Sequence, residues 1–187
     1  MPTQAKEAPG DLALVRAFVN TLDVDLDTEA FSDPASLSAW LAAHGLLETN
    51  TATRSADVRR AVALREALRE LLLGNNDGRQ VPPEAARVLE DAASRARLRL
   101  RVGADGTAHL EAAGSGVDAA LGRLLVIVYR AMETGVWSRL KACRNDTCMW
   151  AFYDHSKNRS GHWCSMAVCG SQHKAKAYRA RKRAGSN

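Results

Sequence analysis

Apolar residues recur at helical spacing through most of the first 138 residues and switch to strict alternation once. Behind Pro9-Gly10-Asp11, Val15, Phe18, Val19 and Leu22 repeat every three or four positions, which predicts a helix with Asp11 as N-cap. Ser32-Asp33-Pro34 predicts a second start. Asp33 caps, and Pro34 fits the first helical position, where a missing N–H costs nothing. Leu37, Trp40 and Leu41 form its stripe and Gly45 its stop. The widest stripe runs from Ser55 to Leu73, carried by Val58, Ala61, Val62, Leu64, Leu68, Leu71 and Leu72. Gly74-Asn75-Asn76-Asp77-Gly78 reads as a break, and Pro82-Pro83-Glu84 opens a fourth helix with Ala85, Val88, Leu89 and Ala92 inside.

The period then drops to two. Leu98, Leu100 and Val102 alternate with Arg97, Arg99 and Arg101, a Gly103-Ala104-Asp105-Gly106 turn comes next, and Ala108 and Leu110 return. That pattern predicts a β-hairpin near 97–111 with one buried face and a solvated arginine face. A fifth helix, Val117 to Glu133, carries Leu121, Leu124, Leu125, Val128 and Met132, widened by Val126 and Ile127, and so should be central; Gly135 caps it. Val136, Trp137 and Leu140 make the junction after it apolar enough to dock the next segment. The expected fold class is mainly α (α+β): about five helices and one hairpin over residues 1–138, then a small C-terminal module over 139–187 ending in a basic helix.

With 187 residues, 46% of them hydrophobic, the chain suits one medium domain or a domain plus a small module. No apolar run approaches membrane length, and Met1 to Gly10 lacks an apolar signal core, so no membrane partner and a cytoplasmic, nucleoid-associated location are expected. The net charge of +5 is unevenly placed. From Arg139 onward eleven Lys/Arg face only Asp146 and Asp154, a balance of +9, whereas the preceding residues balance to −4. A polyanion should therefore meet the last quarter of the chain.

All four cysteines lie there, as Cys143-x₄-Cys148-x₁₅-Cys164-x₄-Cys169. Disulfides suit a secreted chain, and a redox pair prefers two intervening residues to four. The matched pairs fit one structural zinc ion, whose sphere four thiolates would fill. His155, His162 and His173 are reserve ligands. Trp150, Phe152, Tyr153 and Trp163 supply an aromatic mini-core, and Trp150 to Asp154 reads as a short strand. After Cys169 a basic helix of about 14 residues, some 21 Å long, carries Lys174, Lys176, Arg179, Arg181, Lys182 and Arg183. His173, Ala177, Ala180 and Ala184 form its packing stripe. These cations, with Lys157, Arg159 and His162 as a second contact, are the expected nucleic-acid-binding residues. Gly114-x-Gly116-x-x-Ala119 imitates a dinucleotide loop, but its strand belongs to a hairpin and not to a βαβ unit. No catalytic residues are expected, since the first 138 residues hold no nucleophile motif or paired carboxylates.

The run Cys164-Ser165-Met166-Ala167-Val168-Cys169-Gly170, preceded by Asp154-His155-Ser156-Lys157-Asn158-Arg159-Ser160 and followed by Lys174-Ala175-Lys176, resembles the CGNR zinc-finger family. Phe18-Val19-Asn20-Thr21-Leu22, the Trp40 helix ending in His44-Gly45-Leu46-Leu47, and Leu64-Arg65-Glu66-Ala67-Leu68 resemble the ABATE domain that accompanies it. The resemblance implies a bacterial, stress-induced transcription regulator with zinc on Cys143, Cys148, Cys164 and Cys169. The chain departs from the family at Ser171 and Gln172, where Asn and Arg are usual, and at Gly161-His162, where basic residues are usual. The expected partner is nucleic acid, DNA ahead of RNA. An adaptor docked on the transcription machinery and a ligand-sensing N-terminal domain are the alternatives, and a homodimer is compatible with either.

Overall fold

The computed structural model describes residues 7–49 and 51–184, with the side chains of Ala177, Ala180, Arg183 and Ala184 outside the description. The elements run α1 (Leu12–Val19), β1 (Leu22–Asp23), β2 (Thr28–Glu29), α2 (Pro34–Ala43), α3 (Ser55–Asp77), α4 (Pro83–Arg95), β3 (Leu98–Val102), β4 (Ala108–Ala112) and α5 (Gly116–Glu133). A 3₁₀ turn (Trp137–Arg139), β5 (Leu140–Ala142), β6 (Ala151–Tyr153), a π turn (Met166–Gly170) and α6 (Ser171–Ala184) complete the order. Among the described residues the strands form three antiparallel pairs, β1–β2, β3–β4 and β5–β6. The mainly helical α+β class is as the pattern predicts.

Helices α3 and α5 form the centre. Leu64, Leu68 and Leu72 of α3 and Leu121, Leu124 and Val128 of α5 are buried in one core with Val15 and Phe18 of α1 and Leu37 and Leu41 of α2. Burial of each such side chain stabilises the fold by about 1.5–3 kcal/mol. Phe18, Phe31 and Trp40 close one end, with ring centroids 5.7 Å apart in each pair. The start of α2 is as expected: the Asp33 carboxylate accepts from Ser36 N–H at 2.8 Å, and Ser36 Oγ accepts from Asp33 N–H at 3.1 Å. Asp11 is the N-cap residue of α1, but it has helical backbone angles and its side chain makes no capping bond. Leu22 has left the α1 stripe for β1, and Met132 of α5 is 45% exposed.

Two expectations are corrected. Helix α3 does not break at Gly74; it continues to Asp77 and ends at Gly78, whose φ of 75° lets the chain turn left-handed. Tertiary hydrogen bonds overcome the weak helix propensity of that stretch. Asn75 Nδ2 donates to the Trp137 and Leu140 carbonyls at 3.0 and 2.9 Å, and Asn76 Nδ2 to those of Ala142 and His162 at 2.6 and 3.0 Å. The β3–β4 hairpin also lacks a continuous buried face. Leu100 and Val102 are 64% and 68% exposed, because only its root, Leu98 opposite Ala112, reaches α5. On the other face Arg99 and Arg101 pair with Glu111 at 2.7 and 3.7 Å, the solvated arrangement expected.

The root packs where α5 has Gly122. A Cβ there would lie 2.3 Å from the Ala96 Cβ and 3.0 Å from that of Ala112. Gly122→Ala is therefore expected to lower stability by about 1–3 kcal/mol through overpacking, despite alanine's better helix propensity. Urea denaturation read by circular dichroism would check this; an unchanged midpoint would show that the hairpin yields.

A buried polar stripe on α3 joins the helical core to the C-terminal module. Arg65 Nη1 donates to Glu29 at 2.7 Å and its Nε to Glu66 at 2.7 Å. Arg69, one turn later, donates to Glu66 at 3.0 Å, to the Val19 carbonyl at 2.9 Å and to the Met149 carbonyl at 2.8 Å. Burial alone would lower the Arg65 pKa, but the two carboxylates raise it. Both guanidiniums are hydrogen-bonded to carboxylates, the condition under which a buried cation is tolerated.

Candidate metal centre and basic cleft

The β5–β6 hairpin is a wall shared by two cores. Leu140 pairs with Tyr153 and Ala142 with Ala151, and all four side chains enter the main core. Residues alternate across a strand, so Lys141 and its partner Phe152 face the other way, where Phe152 meets Cys143, Cys164 and Cys169. Trp150 and Trp163 flank that second core, while Tyr153 belongs to the first, so the expected aromatic mini-core is divided by the sheet. Asn20, beyond α1, acts as a substitute strand on the edge of β6: its Nδ2 donates to the Ala151 carbonyl at 3.0 Å and its Oδ1 accepts from Ala151 N–H at 2.7 Å.

Cys143 comes directly after β5, and Cys148 closes a turn in which its N–H bonds the Asn145 carbonyl at 2.8 Å. Cys164 and Cys169 come from the second knuckle, where Ser165 Oγ accepts from Val168 N–H at 3.3 Å. The four sulfur atoms lie within 4.8 Å of one another, with Cys148–Cys164 at 3.6 Å and Cys164–Cys169 at 3.7 Å. Zn–S bonds of about 2.3 Å in a tetrahedron place thiolates roughly 3.8 Å apart. The four cysteines therefore fit one structural zinc ion and leave it no open position. Without a cation such thiols compete for one charge. Donation from Cys148 and Cys164 lowers the pKa of Cys143, and the Cys143 thiolate in turn raises those of Cys148 and Cys164. A divalent cation removes that competition.

The three reserve histidines are occupied elsewhere. His155 Nε2 bonds the Glu7 carbonyl at 2.9 Å, His162 Nδ1 bonds Asn76 Oδ1, and His173 lies against Trp163 with ring centroids 4.7 Å apart.

The loop between β6 and Cys164 is built around an ion pair. Lys141 and Asp154, 3% and 4% exposed, meet at 2.8 Å. Lys141 Nζ also donates to the Arg159 carbonyl and, at 3.1 Å, to that of Gly161. The Asp154 carboxylate accepts from Ser156 N–H at 2.9 Å and Gly161 N–H at 2.7 Å. Gly161 is sterically required, since a Cβ would lie 2.8 Å from Asp154 Oδ1. Lys141 thus serves the interior and adds little to the surface potential.

Between the first knuckle and α6 lies a cleft of about 600 Å³. Arg144, Asn145, Asp146 and Thr147 form one wall; Gln172, His173, Lys176 and Arg179 form the other, with Trp163 between them. Among the described residues no carboxylate lies within salt-bridge distance of Arg144, Lys176 or Arg179. Of the expected nucleic-acid residues, Lys176 and Arg179 line this cleft. Lys174, Arg181 and Lys182 are exposed on other parts of α6. The Arg183 side chain, and those of Ala177, Ala180 and Ala184 in the expected packing stripe, lie outside the described residues. Lys157 and Arg159 are exposed on the loop away from the cleft lining, where Arg159 Nη1 donates to Ser138 Oγ at 2.9 Å. His162 is half-buried and committed to α3. Sequence reasoning did not single out Arg144 and Asn145, and it named Gln172 only as a departure from the family pattern; the signal was Arg144-Asn145 directly after Cys143, inside a knuckle that must turn back toward α6.

A closed four-thiolate centre docked on a mainly helical domain defines a zinc-finger protein. The chain belongs to the ABATE family, described as "Putative stress-induced transcription regulator", whose model matches residues 12–134. Residues 139–182 match the CGNR zinc finger. None of the curated proteins compared with it matches the chain.

Proposed function

We propose that the chain is a DNA-binding transcription regulator in which zinc fixes the knuckle and α6 as two walls of a phosphate-binding surface. The observation that carries this reading is the cleft, where Arg144, Lys176 and Arg179 stand together without salt-bridge partners among the described residues. Cationic side chains on a solvated face are usually balanced by carboxylates; here the lining holds one, Asp146, and Asp77 acts on Arg144 only from beyond salt-bridge distance. Phosphate oxygens supply the missing counter-charge, and release of condensed cations drives the association. Duplex DNA is favoured over duplex RNA because α6 is a single helix, which the major groove of B-DNA admits and the narrow one of A-form RNA does not. The protein acts by binding and not by catalysis, in the cytoplasm on the nucleoid. Among the described residues no helix is long and apolar enough to cross a membrane.

The test is affinity for duplex DNA and for RNA at graded salt. Log K for DNA should fall linearly with log salt, by about 0.9 per phosphate contact. Lys176→Gln with Arg179→Gln should reduce that slope by about 1.8 without loss of zinc. Binding that ignores salt, or no binding to either nucleic acid, would remove the reading.

A further inference from the structure

We propose that Gln172 reads the edge of an adenine in the DNA major groove, held in register by Asn145 at the zinc site. This rests on the DNA-binding reading above and concerns what that surface selects. Asn145 Nδ2 donates to Gln172 Oε1 at 2.9 Å and approaches Cys169 Sγ at 3.7 Å. Its Oδ1 accepts from Thr147 N–H at 3.4 Å and Thr147 Oγ1 at 3.1 Å. Both ends of the Asn145 amide are thus engaged, and the nitrogen is directed at α6. That donation fixes the Gln172 amide in turn. Its oxygen faces the knuckle and retains one free lone pair, while neither N–H of Nε2 is directed at Asn145.

Gln172 therefore offers a donor and an acceptor side by side on a lining in which Asn145 and Thr147 are bonded to each other and Asp146 is the one carboxylate. Adenine presents the complement, an N7 acceptor beside an N6 donor. Guanine presents two acceptors, which would set its O6 against Gln172 Oε1. Lys176 and Arg179 lie four and seven positions beyond Gln172, on the same helix face. Phosphates held by these cations and by Arg144 set the register, and only the amide carries sequence information. The N-terminal turns of a recognition helix commonly make such base contacts.

The test uses the zinc-loaded full chain. A randomised duplex library identifies the bound site, and affinities are then measured with each base pair at each position in turn. Wild-type protein should prefer adenine at one position by about 5- to 150-fold over the other bases. Gln172→Ala should abolish the preference there and leave the salt slope unchanged. Gln172→Glu, which can only accept, should move it to cytosine, whose N4 group donates. Salt-dependent binding with no adenine preference, or the same preference in both variants, overturns the assignment of Gln172 and leaves DNA binding intact. Absence of duplex binding at every salt overturns the DNA-binding reading itself, and this inference with it. Gln172 is exposed, and zinc content checks that the variants keep the site.

Discussion

Cys164→Ser protein is expected to carry no stoichiometric zinc and to lose the fixed structure of residues 143–184, while the helical core persists. The second core consists of Cys143, Cys164, Cys169 and Phe152, with Cys148, Trp150 and Trp163 against it. So little apolar surface cannot hold some 40 residues folded without a staple. Structural zinc contributes on the order of 10–16 kcal/mol to folding in sites of this kind. Serine is a poor zinc ligand, so replacing Cys164, whose sulfur lies 3.6 Å from that of Cys148 and 3.7 Å from that of Cys169, removes one of the four corners of the tetrahedron. The main core takes only Leu140, Ala142, Ala151 and Tyr153 from the buried residues beyond Trp137. Metal analysis should find less than one zinc per chain, and limited proteolysis should cut within residues 143–184 while sparing α1 to α5. Full zinc occupancy with wild-type protease resistance would refute the assignment of the site.

The second large effect lies at Lys141. Lys141→Ala strands the Asp154 carboxylate in the interior, and removal of one partner of a buried pair costs about 3–5 kcal/mol. Asp154→Asn in the same chain should recover part of that loss, because the charge is then gone; a double-mutant cycle by urea denaturation measures the coupling. The pair also predicts a pH dependence. Burial alone would raise the Asp154 pKa, but donation from Lys141, Ser156 and Gly161 overcomes it and holds the carboxyl well below the usual carboxylate range. A folded-state pKa below the unfolded value of about 3.9 means that the contribution is fully present above that pH and is lost as pH falls through the folded pKa. Wild-type protein should keep this part of its stability down to about pH 4, and Lys141→Ala should start losing stability at higher pH. Equal acid-unfolding profiles would show that the pair is not coupled to folding.

Local signals were legible in the sequence and long-range ones were not. The cap at Asp33, the long stripe of α3, the matched cysteine pairs and the 14-residue basic helix each depend on neighbours a few positions apart. Asn75 and Asn76 read as a helix break because their partners lie more than 60 positions away, on the carbonyls of Leu140, Ala142 and His162. Lys141 counted as a surface cation for the same reason: its carboxylate stands 13 positions on, across the hairpin. Alternation of Leu98, Leu100 and Val102 gave the hairpin, but how far α5 extends beneath it decides which of the three is covered. The basic cleft depends on a knuckle turn and a helix start that only zinc geometry brings together, so Arg144 and Gln172 carried no joint signal.

Zinc is expected to hold the first knuckle and α6 in the arrangement that binds DNA. Titration of one duplex at fixed low salt with the zinc-loaded protein, the chelated protein and the reloaded protein tests it most directly. Affinity should fall by about tenfold or more on chelation and return on reloading, while circular dichroism retains the helical domain. Equal affinity with and without zinc would contradict the account.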